Sequence, residues 1–195
     1  MAYGGGWRNL ALRNCDMSVT VRPSRAADAS LLPSVETSAG AAFLSIPGLE
    51  WIAHDGVMSV ARHSELIEGG GCWVAADKSG RISGFLAGEA FSDALHICEL
   101  SVSSDVQGNG VGSALVKAAI GWAAARGKSA VTLSTFRDVA FNAPWYARMG
   151  FEELDRKTMN NRLAFVMQDE IAHGLPGDRR CAMQYRIVAG PRRAS

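Results

Sequence analysis

The spacing of apolar residues divides the chain into short strands and a few helices. Alternating or continuously apolar stretches predict strands at residues 19–22, 72–76, 82–89, 95–102, 131–136, 151–154 and 180–188. Apolar residues at helical spacing predict helices at residues 26–42, 58–67, 111–126, 141–149 and 162–172. Hairpins together with one strand-loop-helix-strand crossover predict an α/β fold with a mixed sheet.

The longest predicted helix, residues 111–126, carries one apolar stripe. Its members recur at three- and four-residue spacing and are Val111, Leu115, Ala118, Ala119 and Trp122. Such a stripe is typical of a helix that packs one face on a sheet. Gly127 ends this helix, and Gly150 ends the helix at 141–149, because glycine readily adopts the left-handed conformation that follows a helix.

Length, charge and hydropathy narrow the class of protein. The 195 residues, 48% hydrophobic and 20% charged, are typical of a single globular domain, which we place at residues 18–190. A net charge of +1 argues against a general nucleic-acid binder. No stretch approaches the roughly 20 apolar residues of a membrane span, so no membrane association is expected. Residues 1–17 are glycine-rich and lack the pattern of a signal peptide, which predicts a flexible N-terminal extension.

Cysteine and histidine spacing bears on redox state and metal binding. The four cysteines are Cys15, Cys72, Cys98 and Cys181, and no two form a CxxC pair. We therefore expect reduced thiols and a cytoplasmic protein. The four histidines show no HExxH or clustered spacing, so no metal site is expected.

The most informative segment is Gln107-Gly108-Asn109-Gly110-Val111-Gly112, between a predicted strand and the long helix. Its three glycines let the backbone turn tightly and approach a ligand closely. The helix that follows offers unpaired N–H groups and the positive end of its dipole. Together these features predict a phosphate site. A plain tight turn remains an alternative for this segment taken alone.

Two other phosphate-binding motifs do not fit the chain. A P-loop ending at Gly127-Lys128-Ser129 would need a glycine where Trp122 stands. A Rossmann fingerprint requires GxGxxG, whereas this loop reads GxGxG, and the next strand ends without the required acid. The pattern [QR]xxGx[GA] is satisfied by residues 107–112.

Three ordered segments resemble the GNAT N-acetyltransferase superfamily. They are Glu99-Leu100-Ser101-Val102 on a strand, the 107–112 loop before a helix, and the segment 142–151, in which Tyr146 stands four residues before Gly150-Phe151. The resemblance covers residues 19–154 and extends more weakly to 188. It implies a mostly antiparallel mixed sheet with a V-shaped splay and helices on both faces.

The resemblance also implies which residues bind acetyl-CoA as cosubstrate. Backbone amides of the loop would bind the pyrophosphate, the strand would pair with the pantetheine arm, and Asn142 would hydrogen-bond the coenzyme. The residues implied are Leu100, Ser101, Val102, Gln107, Gly108, Asn109, Gly110, Val111, Gly112, Ser113, Asn142 and Trp145.

Amine acetylation needs a base for the acceptor and an acid for the leaving thiolate. Glu99, flanked by Cys98 and Leu100, is the candidate base, and a structural carboxylate paired with an arginine is the alternative. Tyr146 is the candidate acid, with helix-face packing as its alternative.

Several other side chains receive secondary roles. His96 is a candidate proton relay or an ordinary strand histidine, and Cys98 is interpreted as a buried thiol rather than a nucleophile. Residues 136–138 are expected to brace a loop, with a place in the lining of the substrate site as the alternative. A set of acids with Trp51 falls where the family covers the acceptor, although a solvated helical face is expected for most of them: Glu36, Glu50, Asp55, Glu65 and Glu68.

The predicted function is acetyl transfer from acetyl-CoA to a primary amine of a small molecule, by direct attack in a ternary complex. Two alternatives stay open, a protein lysine or N-terminus as acceptor, and a sensor that binds acetyl-CoA without turnover. A homodimer through the C-terminal strand is a further hypothesis.

Overall fold

The structure, a computed structural model, describes residues 19–157 and 159–188. The predicted extension at residues 1–17 lies outside this range, and the domain boundaries stay predictions. One sheet contains seven strands in the order β1-β2-β3-β4-β5-β7-β6. The strands are β1 Thr20–Pro23, β2 Cys72–Ala76, β3 Ile82–Ala90, β4 Ala94–Val102, β5 Ala130–Phe136, β6 Glu152–Glu153 and β7 Arg180–Arg186.

Helices cover both faces of the sheet, as the resemblance implied. They are α1 Leu32–Gly40, α2 Val60–Glu68, α3 Val111–Ala125, α4 Ala143–Arg148 and α5 Asn161–Ala172. Helices α3 and α4 pack with Val111, Leu115 and Tyr146 on one face. Helices α1 and α2 pack on the opposite face, against side chains such as Val74 and Phe85. No helix among residues 19–157 and 159–188 is long and apolar enough to span a membrane.

The single helix predicted at residues 26–42 is wrong. Residues 26–31 and 41–45 form 3-10 turns, and only Leu32–Gly40 is α-helical. Pro33 lies in the first turn of α1. Since proline has no N–H and its ring clashes with the carbonyl four residues earlier, an α-helix cannot run through from residue 26. Two further 3-10 turns, Glu50–His54 and Ser104–Val106, were not predicted.

A β-bulge in strand β4 changes which side chains point to each face of the sheet. Gly88 of β3 pairs with Ile97, and the neighbouring Ala87 pairs with Glu99, which leaves Cys98 as an extra residue. Leu100 and Val102 therefore pack on the α3 side together with Ile97. Glu99 is thereby released from the α3 core and can face the cleft beside β4.

The sheet opens into a V between β4 and β5, as predicted. All neighbouring strands are antiparallel except β4 and β5, whose parallel pairing begins at Ala94 and Ala130 and ends at Ile97 and Leu133. Beyond Ile97 the two strands diverge. Among residues 19–157 and 159–188, no strand pairs with the edge of β4 that faces β5 along the segment that holds Glu99.

Candidate active site

A cleft of about 790 Å³ occupies the opening between β4 and β5. Nearly all of the predicted site residues line it, namely Glu99, Leu100, Ser101, Val102, Gln107, Gly108, Gly110, Val111, Gly112, Ser113, Asn142, Trp145 and Tyr146. Asn109 does not line it, because its side-chain amide donates to the Val106 carbonyl at 3.2 Å and stabilises the preceding turn.

The glycine loop meets the conformational requirement inferred from its sequence. Gly108 and Gly110 have φ angles of 80° and 81°, which only glycine adopts without strain. A Cβ atom at either position would meet no atom within 4 Å, so the space in front of both is open. The Gln107 side chain donates to the Val102 carbonyl at 2.9 Å and ties the loop to β4.

Helix α3 begins at this loop without a capping side chain. Gly110 is its N-cap residue and has no side chain to accept from the first-turn N–H groups. Val111, Gly112 and Ser113 of that turn all line the cleft. The end of the cleft beside α3 is therefore suited to an anion.

Helix α4 fixes the position of Tyr146 from both ends. Asn142 is its N-cap residue, and the Asn142 carbonyl accepts from the Tyr146 amide at 3.0 Å. At the other end the Phe151 amide donates to the Tyr146 carbonyl at 3.1 Å, and Gly150, with φ 92°, donates to the Ala147 carbonyl at 3.0 Å. This pair of bonds is a Schellman motif.

Aromatic packing holds the Tyr146 ring. The ring lies edge-on to Trp145 at 4.8 Å and to Phe151 at 5.3 Å between centroids. Burial, with a smaller effect from Glu99, raises the pKa of the phenol. The hydroxyl therefore stays protonated at neutral pH and can act as a proton donor.

Glu99 is the carboxylate on the β4 edge of the cleft. Its Oε1 accepts from the Ser101 hydroxyl at 2.7 Å. Burial raises the pKa of Glu99, while the Ser101 hydrogen bond and the positive charge of Arg180 oppose that rise. A carboxylate with a raised pKa is a stronger base than an exposed one.

A second carboxylate, Glu36 of α1, lies on the same side of the cleft. Its two oxygens accept from the Met58 amide at 3.1 and 3.2 Å. Burial and the nearby charge of Glu99 raise the pKa of Glu36 to about 7. Behind it, Nε2 of the fully buried His63 lies 3.7 Å from the Glu36 carboxylate.

Arg180 enters the cleft from β7 already paired. Its guanidinium contacts Glu170 of α5 at 2.7 and 3.0 Å and donates to the Ser134 hydroxyl at 3.0 Å. The Ser134 hydroxyl donates to Glu170 in turn. Phe136 lies below the guanidinium at 4.7 Å. Arg180 is therefore paired with Glu170, and it acts on Glu99 only through a longer-range electrostatic interaction.

Residues 43–151, more than half of the chain, match the family model described as Acetyltransferase (GNAT) family. The chain belongs to the GNAT family. This assignment confirms the family and the enzyme class predicted from the sequence, an acyltransferase.

Solved structures agree with the GNAT fold. One is Rv2747 from Mycobacterium tuberculosis in complex with CoA, which has 19% sequence identity and a TM-score of 0.60, with 87% of this chain and 99% of that chain covered. Another is the ribosomal-protein-S18-alanine N-acetyltransferase from Escherichia coli, at 16% identity and TM-score 0.63, with 91% and 99% covered. The PaiA N-acetyltransferase from Thermoplasma acidophilum, in complex with coenzyme A, has 15% identity and TM-score 0.64, with 88% and 100% covered.

The secondary candidates divide between the GNAT cleft and the rest of the molecule. His96 is buried away from the cleft and hydrogen-bonds Thr132 through Nδ1 at 3.1 Å, and burial lowers its pKa to about 4. Cys98 lines the cleft, but burial raises the pKa of its thiol to about 12, so it is not a nucleophile at neutral pH. Cys72 and Cys181 are free thiols too, whereas Cys15 lies outside the described residues.

The acids around the acceptor region also divide. Glu36 and Asp55 line the cleft, whereas Glu50, Glu65 and Glu68 do not. Arg137 pairs with Glu153 at 2.8 Å, and Asp138 pairs with Arg179 at 2.8 Å. Phe136 of the same segment lines the cleft. Within the described ranges no group of His, Cys, Asp and Glu could hold a metal ion.

Sequence reasoning missed the roles of Glu36, Glu170 and Arg180. A solvated position was expected for most acids near α1, and nothing in the local pattern separates Glu36 from them. A weak signal exists for Arg180, because a charged residue opens the strand Arg180–Arg186, whose next three residues are apolar. Several of their contacts join residues more than 20 positions apart, such as Glu36 with Met58 and Arg180 with Ser134, which a local pattern cannot show.

Proposed function

We propose that this GNAT protein transfers the acetyl group of acetyl-CoA to the primary amine of a small molecule, by direct attack in a ternary complex. The observation that carries this proposal is the cleft itself. One continuous surface brings together the glycine loop at the start of α3, the unpaired edge of β4, Glu99 and Tyr146.

The residues present fit acetyl-CoA. Open space before Gly108 and Gly110 and the uncapped first turn of α3 suit its pyrophosphate. The free edge of β4 at residues 100–102 suits an extended pantetheine arm, which can hydrogen-bond to backbone groups as a strand does. Asn142 and Trp145 border the same channel. When bound, acetyl-CoA supplies an acetyl group activated as a thioester.

Glu99 would remove the proton from the acceptor. An alkyl ammonium has a pKa of about 10 and cannot attack until it is neutral. Glu99 lies on the strand along which the thioester would be aligned. Its raised pKa reduces the difference between its own pKa and that of the acceptor ammonium, which makes the proton transfer less unfavourable. Ser101, whose hydroxyl donates to it, fixes its orientation.

Tyr146 would return a proton to the departing sulfur. Its raised pKa keeps the hydroxyl protonated. The Schellman motif and the rings of Trp145 and Phe151 hold it in place, so little conformational freedom is lost when it acts.

A cover over the acceptor end supports a small acceptor. Phe43, Ile46, Leu49 and Ile52 form an apolar cluster with Phe136 at the end of β5. Arg179 ties this segment down by donating to the Pro47 carbonyl at 2.9 Å. A protein acceptor would need this cover to leave a groove open. We further propose a cytoplasmic location, which the free thiols favour, while the homodimer stays a prediction.

Calorimetry with acetyl-CoA, followed by a thiol-release assay over a panel of amines, tests the proposal. We expect saturable acetyl-CoA binding and thiol release that depends on a small primary amine. Binding without turnover on any amine would support the sensor alternative. Turnover confined to lysine-containing proteins or N-terminal peptides would support the protein acceptor.

A further inference from the structure

We propose that the acceptor carries at least two positive charges, and that Glu36 binds the ammonium group that does not react. This inference rests on the proposed function and names the substrate class of the same cleft. Glu99 would then receive the reacting amine, while Glu36 selects the acceptor by its second charge.

The cleft has an excess of negatively charged side chains. Its charged lining residues are four carboxyls and one guanidinium, namely Glu36, Asp55, Glu99, Glu170 and Arg180. The guanidinium is already paired with Glu170 and Ser134. The other three carboxyls belong to Glu36, Asp55 and Glu99. Within the described part of the chain, no cationic side chain of the cleft lining forms an ion pair with them. An acceptor with a free carboxylate would meet repulsion there, and a dication would meet attraction.

Glu36 is partly buried and lines the cleft. Its side chain is 18% exposed, so the carboxylate is held from behind and still reaches the cavity. The Met58 amide takes one of its hydrogen-bonding directions. An ionised carboxylate has about four such directions, which leaves capacity for an ammonium in the cleft.

A buried histidine, His63, lies next to Glu36. His63 is fully buried, and neither ring nitrogen has a hydrogen-bond partner within the described part of the chain. Its Nε2 lies 3.7 Å from the Glu36 carboxylate, which is too far for a hydrogen bond. With the proton on Nε2, the ring places an N–H dipole toward Glu36. Such a dipole stabilises the negative charge that would bind an ammonium.

The charges of Glu36 and Glu99 interact across the cleft. Each carboxylate disfavours ionisation of the other in a partly buried cleft. A dication relieves that repulsion by placing one ammonium at each carboxylate. A monocation relieves it only in part.

A chemically matched set of acceptors tests the proposal. The probes are 1,5-diaminopentane, pentylamine and 5-aminopentanoate, which share a chain length and differ in the charge of the far end. Shorter diamines, 1,3-diaminopropane and 1,4-diaminobutane, allow for the unknown optimum length. We expect kcat/KM for the best diamine to exceed that for the monoamine by roughly 10- to 100-fold, with the amino acid slowest. Equal rates for the diamines and pentylamine, or preference for the amino acid, would overturn the proposal.

Two isosteric variants locate the effect. Glu36→Gln keeps an acceptor for the Met58 amide and removes the charge, and we expect it to reduce the diamine-to-monoamine ratio to within about threefold of one. Glu50→Gln makes the same charge change on an exposed residue of the covering segment that does not line the cleft, and the ratio should be unchanged. A ratio that survives in Glu36→Gln, in a variant that still unfolds cooperatively and binds acetyl-CoA as wild type does, would overturn the role of Glu36.

The outcome separates this inference from the function on which it rests. If no amine is acetylated although acetyl-CoA binds, the proposed function fails. If pentylamine is acetylated as well as the diamines, the proposed function stands and the dication inference fails.

Discussion

Tyr146 illustrates how a side chain is placed by packing before it takes part in chemistry. Its ring packs against the rings of Trp145 and Phe151, and the residue lines the cleft. Removing the hydroxyl therefore changes the proton donor while leaving the packing intact.

Tyr146→Phe should lower kcat by roughly 10²- to 10⁴-fold, the usual contribution of a positioned general acid. The dissociation constant for acetyl-CoA should change by less than about twofold, because the ring remains in place. Steady-state kinetics and calorimetry measure the two effects. If binding and kcat fell together, the residue would have a packing role instead.

Ionised Glu36 lowers the stability of the folded protein at high pH, which a neutral side chain at this position would not do. Its folded-state pKa of about 7 lies above the value for an unfolded chain. Between about pH 4.5 and 7 the unfolded chain loses this proton while the folded protein keeps it, so stability falls as pH rises through that window.

Glu36→Gln should therefore melt roughly 3–6 °C higher than wild type at pH 8 and within about 1 °C of it at pH 5. Thermal unfolding followed by circular dichroism at both pH values measures the difference. A shift of the same size at both pH values would contradict the assigned pKa.

Single residues were predictable from the sequence where a motif surrounds them. Glu99 and Tyr146 stand in ordered segments whose spacing is visible, and both line the cleft. Glu36 lies in no such motif. Its place in the site depends on contacts with Met58 and His63, which form only when the chain folds. Asn109 was expected to bind the coenzyme through the backbone amides of its loop, which stays a prediction, and its side chain supports the turn at Val106.

At the scale of elements, the N-cap glycine of helix α3 and a glycine inside the helix have opposite conformational requirements. Gly110 begins the helix with φ 81°, and Gly121 lies inside it on the exposed face with no atom within 4 Å of an added Cβ. A methyl group is therefore strained at the first position and tolerated at the second.

Gly110→Ala should destabilise the protein by about 1–2 kcal/mol and weaken acetyl-CoA binding by about tenfold or more. Gly121→Ala should stabilise it by about 0.5–1 kcal/mol through helix propensity and leave acetyl-CoA binding unchanged. Chemical denaturation and calorimetry on the matched pair provide the test. Weaker binding in both variants, or in neither, would contradict a specific role for the loop.

Elements dominated by one periodicity were predicted well, and those altered by a local interruption were not. Helix α3 and strand β4 agree with their predicted bounds to within one residue. The α1 region differs because Pro33 restarts the helix, a rule that the sequence already contained. The bulge at Cys98 left no mark in the sequence, since it arises from how β3 and β4 pair.

At the scale of the whole molecule, the important feature is the place where the sheet fails to close. Pairing between β4 and β5 stops after Ile97 and Leu133, and the cleft lies in the gap that follows. The divergence was expected only through the resemblance to GNAT proteins. No pattern within either strand predicts it, because it depends on the twist of the sheet and on the helices packed against both faces.

The acceptor end is assembled from segments that are distant in the chain, and this limits what the sequence alone reveals about the substrate. Residues from α1, the 41–54 turns, β5, α5 and β7 all contribute to its lining. Binding loops on a shared scaffold vary with function while the fold persists. The charge of the assembled cleft therefore says more about the acceptor than family membership does.

The most direct test of the account is a crystal structure of this protein with acetyl-CoA. We predict the pyrophosphate within hydrogen-bonding distance of backbone amides at residues 108–113. The pantetheine arm should run along the free edge of β4, with the sulfur near Tyr146 and the acetyl group facing Glu99. A coenzyme bound elsewhere, with the glycine loop empty or filled by its own side chains, would contradict the account.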